Sequence, residues 1–76
     1  LKIAKQLLDK GERNAAKIKD AIISEINTES LAKIDYVEIV DSENLTDVST
    51  IEKNILIPIA VYIGKTRLID NFTYEV

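Results

Sequence analysis

The sequence predicts an α+β fold in which helices cover a small, three-stranded, mostly antiparallel sheet. Two observations carry that expectation. The first 27 residues show helical spacing of apolar side chains, broken once at Gly11. From Asp35 onward the pattern changes to β-rich runs, the last two separated only by Gly64 and Lys65. With 76 residues, one domain is the sensible count, and a stripe of helical isoleucines packed on a sheet gives a two-layer architecture.

In the first element, Leu1, Ile3, Ala4, Leu7 and Leu8 recur at i, i+3, i+4 and i+7, predicting a helix over 1–10. Gly11 follows where a left-handed residue ends such a helix, and Lys10 suits the negative end of its dipole. A second helix starts at Asn14 as N-cap and runs to about Asn27. Ala15, Ile18, Ala21, Ile22 and Ile26 form its apolar stripe, away from Lys17, Lys19, Asp20 and Ser24. Core packing is the expected use of that stripe. The first helix is the better candidate for an interface, with Leu1, Ala4 and Leu8 as a self-association face.

After a polar break at 27–30, Asp35–Val40 reads as a strand, Val37 and Ile39 pointing one way and Tyr36, Glu38 and Val40 the other. Residues 41–50 are polar and aperiodic, with Leu45 and Val48 as packing points and Ser42–Leu45 as a possible single helical turn. Asn54–Ile63 is the most apolar stretch and predicts a strand buried on both faces. Pro58 cannot donate to a ladder, which places it at an edge or a bulge. Gly64 and Lys65 form a turn, and Thr66–Glu75 return as the third strand.

Composition excludes several classes of function. There is no cysteine, hence no disulfide framework, thiolate metal site or thiol nucleophile. There is no histidine, the commonest metal ligand and general base near neutral pH. Ten basic against 13 acidic residues give a net charge of −3, without the basic footprint of a nucleic-acid binder. The longest apolar run, nine residues from Ile55 to Ile63, contains Pro58 and is too short to span a bilayer as a helix. Nothing resembles a targeting segment, so a cytoplasmic location is expected. No methionine occurs, so Leu1 is not a natural start and the chain reads as a piece of something larger.

Few groups are left to carry chemistry. Gly64-Lys65-Thr66 ends the phosphate-loop motif of many nucleotide-binding enzymes. That motif needs glycine five residues before Gly64, where Ile59 stands, and a helix afterwards, where Arg67-Leu68-Ile69-Asp70 reads as strand. A hairpin turn with an exposed lysine accounts for the tripeptide. Asp35, Glu38, Asp41, Glu43 and Asp47 lack the central glycine and alternating ligands of a calcium loop and read as a solvated flank. Asp70, with Asn71, either caps a turn or pairs with Arg67, the pair requiring a bulge. No catalytic residue and no metal ligand is assigned.

Four segments in order resemble the pantoate–β-alanine ligase (pantothenate synthetase) family. Val61-Tyr62-Ile63-Gly64-Lys65-Thr66-Arg67-Leu68-Ile69-Asp70-Asn71 is similar to its closing signature. Gly11-Glu12-Arg13-Asn14-Ala15 resembles Gly-Glu-Arg-Asp-Ala, with Asn14 replacing the aspartate. Asp35-Tyr36-Val37-Glu38-Ile39-Val40-Asp41 resembles Asp-Tyr-Val-Glu-Val-Val-Asp, and Asn44-Leu45 stands where the family has Thr-Leu. The resemblance implies that residues 1–76 are the C-terminal lid domain of a two-domain enzyme. Its N-terminal Rossmann-type nucleotidyltransferase domain, with a His-x-Gly-His signature, is absent here. The full enzyme uses ATP and magnesium to adenylate pantoate, and β-alanine then attacks to give pantothenate, AMP and pyrophosphate. A homodimer is expected of the full enzyme, and no activity or bound cofactor of this chain alone. On this reading Lys65 and Arg67 are the residues suited to meet nucleotide phosphate or the other domain. The alternative is a small α+β protein-interaction module with no catalytic role.

Overall fold

The computed structural model describes residues 2–76. Two helices, α1 (Lys2–Asp9) and α2 (Ala15–Ile26), precede four strands, β1 (Ala32–Val37), β2 (Val40–Asp41), β3 (Ile55–Ile63) and β4 (Thr66–Tyr74). All pairings are antiparallel. β3 is central, with β4 along one side and β1 followed by β2 along the other. The fold is thus the expected α+β layer, with one strand more than the three predicted. The Asp35–Val40 strand is replaced by β1, which starts three residues earlier, and the short β2.

The helix boundaries follow local chemistry. α1 ends in a Schellman motif: Gly11 takes φ +101°, its N–H donates to Leu8 O at 3.0 Å, and Glu12 N–H donates to Leu7 O at 2.9 Å. Arg13 Nη1 adds bonds to Leu8 O and Glu12 O at 2.8 and 2.9 Å, tying the segment after the helix back to its last turn. At α2 the Asn14 side chain accepts from Ala16 N–H at 3.0 Å, as the capping expectation required.

Both helices lie on one side of the sheet. Ala4, Leu8, Ala15, Ile18 and Ile22 share a core with Val37, Ile39, Ile51, Ile55, Ile57 and Ile59. Ala4 and Leu8 are therefore interior and cannot form the self-association face assigned to α1; Leu1, the third residue of that face, lies outside the described residues. Ile51, 1 % exposed, is a core residue outside every regular element, held by its N–H bond to Arg13 O at 2.8 Å. Leu45 is no packing point: it is 62 % exposed and takes φ +60° in a turn whose N–H returns to Asp41 O. Val48 does pack against the core.

The other side of the sheet is open, which corrects the expectation of a doubly buried β3. Along it Ile55, Ile57 and Ile59 are buried beneath the helices, whereas of Leu56, Pro58, Ala60 and Tyr62 only Ala60 is buried. Pro58 stands in the central strand rather than at an edge. Val37 lies opposite Ile59 and Val40 opposite Leu56, so Glu38 falls opposite Pro58, and Glu38 N–H donates to Pro58 O at 3.1 Å. The reciprocal bond needs the N–H that proline lacks, and the edge strand is interrupted there, between β1 and β2.

Candidate functional site

The β3–β4 hairpin closes through two residues, with Ile63 opposite Thr66. Gly64 takes φ +60° and Lys65 does not take a positive φ, the arrangement of a turn with glycine at its first central position. Lys65 sits exposed at this tip, and the strand that follows confirms a hairpin rather than a phosphate loop. From the tip, a row crosses the open face of the sheet: Lys33 on β1, Tyr62 on β3 and Arg67 on β4 stand directly opposite one another.

Beside that row β1 carries a bulge. Ile34 pairs with Val61 but Tyr36 pairs with Ala60, so Asp35 is an extra residue. Two residues then oppose one, and Asp35 and Tyr36 both come to the open face, while Val37 is returned to the core. Arg67 reaches across β3 into this feature. Its Nε and Nη2 both donate to Asp35 Oδ2, at 3.1 and 2.8 Å, and its guanidinium carbon lies 6.0 Å from the centroid of the Tyr36 ring. The Asp35 hydrogen bond, chiefly, raises the pKa of the guanidinium above its ordinary value. Both side chains stay open to solvent, at 41 % for Arg67 and 38 % for Asp35.

The remaining sequence candidates disperse. Asp70 does not meet Arg67; its Oδ1 accepts from Asn71 N–H at 2.8 Å. Within the acidic run, Glu38 lies 3.9 Å from Lys19, and Asp41 caps the turn through Glu43 N–H and Asn44 N–H. Among the described residues no three His, Cys, Asp or Glu side chains gather as a metal site. No helix there is long and apolar enough to cross a membrane. A groove of about 290 Å³ runs between α1 and β4, lined by Lys2, Ala4, Leu8, Ile57, Phe72 and Tyr74 among others.

Of the predicted site residues, Lys65 and Arg67 thus lie at one end of the open face, and the structure adds Asp35, Tyr36 and Lys33 to them. Asp35 has no local mark as the partner of Arg67, because the bulge that presents it depends on pairing with β3.

The two sequence segments that meet here, at Asp35-Tyr36 and at Gly64–Asn71, lie within the stretch that matches a known family. Residues 1–73 match the family described as pantoate-beta-alanine ligase. Over 76 residues the chain is 62 % identical to the pantothenate synthetase of Clostridium acetobutylicum, covering 100 % of this chain and 27 % of that protein. Identity to the pantothenate synthetase of Clostridioides difficile is 63 % over 75 residues, and to that of Enterococcus faecalis 60 % over 75, in each case 99 % of this chain and 27 % of the relative. The chain thus spans about a quarter of the length of the curated relatives it matches. A match running through helices, bulge and hairpin alike leaves no segment to another origin, and the chain belongs to the pantoate-beta-alanine ligase family.

Proposed function

We propose that this chain acts as the C-terminal lid domain of an ATP-dependent ligase that joins pantoate to β-alanine. In the complete enzyme, pantoate and ATP give a pantoyl-adenylate and pyrophosphate; the β-alanine amine then displaces AMP to give pantothenate. The observation that carries this reading is the match to the family along residues 1–73, together with a sheet that has one face free. An acyl-adenylate exposed to water hydrolyses, so a lid must present a broad surface that closes and excludes solvent. The open face of the sheet suits that task, with Leu56, Pro58, Tyr62 and Ile69 as its apolar part and the Lys33–Tyr62–Arg67 row as its charged end. The chain exposes 5178 Å², roughly 500 Å² above the approximately 4,650 Å² of a compact 8.5 kDa monomer. That excess supports a surface made to be covered.

Lys65 and Arg67 are the residues that fit a nucleotide phosphate; among the described residues no three His, Cys, Asp or Glu side chains gather to hold its magnesium ion, which this reading assigns to the N-terminal nucleotidyltransferase domain. The chain alone is expected to be inactive, the whole enzyme to be a cytoplasmic homodimer. The test is a chimera in which this chain replaces the matching quarter of a full-length relative. Pantoate- and β-alanine-dependent AMP release by the chimera, and none by the chain alone, is the expected result. A folded but inactive chimera beside an active parent overturns the reading.

A further inference from the structure

Arg67 is held more closely than a surface arginine needs to be. Two of its nitrogens share one carboxylate oxygen, Asp35 Oδ2, and the centroid of the Tyr36 ring lies 6.0 Å from the guanidinium carbon. Those contacts fix the plane of the fork. Nη1 has no protein partner among the described residues, and the side chain is 41 % exposed. Around it, Lys33 stands in the same cross-strand row and Lys65 two residues earlier in the hairpin tip. Three cations against one carboxylate leave this end of the open face positive on a chain whose net charge is −3. A free long arginine must give up rotamer freedom to meet an oxyanion; one already oriented by a carboxylate and a ring gives up less.

We propose that Asp35 is a positioning residue, which holds the Arg67 guanidinium so that its free edge meets an oxyanion of the nucleotide phosphate class when the open face is covered. The β1 bulge is the device that makes this possible, since it brings carboxylate and ring to the same face in consecutive residues. This inference rests on the lid reading. The pair touches substrate only through Arg67, so Asp35 itself is not a catalytic residue.

The experiment measures KM for ATP and kcat in the chimera carrying D35N, D35E, R67K or K19Q. R67K keeps the charge and loses the fork; D35N keeps the shape and loses the charge that orients it. Both variants are expected to raise KM for ATP by about tenfold, with a smaller change in kcat. The double variant should be no worse than either single one, and D35E should recover part of the loss. K19Q breaks a different ion pair, with Glu38, and is expected to leave KM unchanged. If R67K has no effect, Arg67 does not meet nucleotide and the proposal falls with that part of the lid reading. If R67K raises KM and D35N does not, the lid contact stands and the positioning role is overturned. An equal effect of K19Q marks a general loss of structure and likewise overturns it.

Discussion

The Tyr74 hydroxyl donates a 2.6 Å hydrogen bond to Asp9 Oδ1, tying the end of the last strand to the end of the first helix across 65 residues of sequence. The bond stabilises opposite protonation states in its two partners. Asp9 is held below its ordinary 3.8, chiefly by the Tyr74 hydroxyl, which outweighs the opposing effect of burial, and then by Lys5 and Arg13. Tyr74 is raised above its ordinary 10.0, first by the same bond. For Asp9, with its folded pKa depressed, the contribution to stability is complete above the unfolded value and is lost as pH falls through the folded one. For Tyr74, with its pKa raised, it is complete below 10.0 and is lost as pH rises through the folded value. Y74F should therefore lower the urea midpoint by a constant amount from about pH 5 to pH 9, and the gap to wild type should narrow beyond both limits. A gap that stays constant down to pH 2 removes Asp9 as the acceptor.

Ile22 tests how little stability this chain has in reserve. It is 1 % exposed and, with Ile18 at 0 %, fills the contact of α2 with the sheet. Truncating such a side chain costs about 2–5 kcal/mol, whereas a chain of this size has about 3–5 kcal/mol in total. I22A should be largely unfolded at 25 °C by far-UV circular dichroism, and I22V, at about 0.5–1.5 kcal/mol, should remain folded with a lower urea midpoint.

Leu45 should be replaceable at a gain. Its φ of +60° is left-handed, unfavourable for a leucine, and at 62 % exposure it recovers little by packing. L45N keeps the backbone bond from residue 45 to Asp41 O and suits that conformation better. The expected gain is about 0.5–1 kcal/mol, read as a melting midpoint higher by about 2–8 °C. No change in the midpoint places the strain elsewhere.

These positions also mark the boundary of what the sequence discloses. Gly11, Asn14 and the Gly64-Lys65 turn act through bonds to residues within five positions, and each was legible as a cap or a hairpin. Leu45 and Ile51 were not, because their apolar character says nothing of which one the chain turns inward; that depends on Ile51 N–H meeting Arg13 O, 38 residues away. The same holds for the candidate site. Lys65 and Arg67 were visible in the closing signature, but the bulge that joins Arg67 to Asp35 is a property of β1 pairing with β3 and has no local mark.

Pro58 gives the sharpest case, because the rule that proline avoids central strands is met here in an unexpected way. β3 is paired on both sides, yet on one of them the ladder is broken opposite the proline, where Glu38 donates and receives nothing back. P58V supplies the missing N–H and should let β1 and β2 join as one edge strand. The new hydrogen bond is worth about 0.5–1.5 kcal/mol, and loss of proline frees the unfolded chain by about 0.4–1 kcal/mol, so the two effects nearly cancel. The expected outcome is a urea midpoint close to wild type with a newly protected amide at position 58 in hydrogen exchange. Rapid exchange at that amide in a folded variant would mean that Glu38 O is turned away, and that something other than the proline separates β1 from β2.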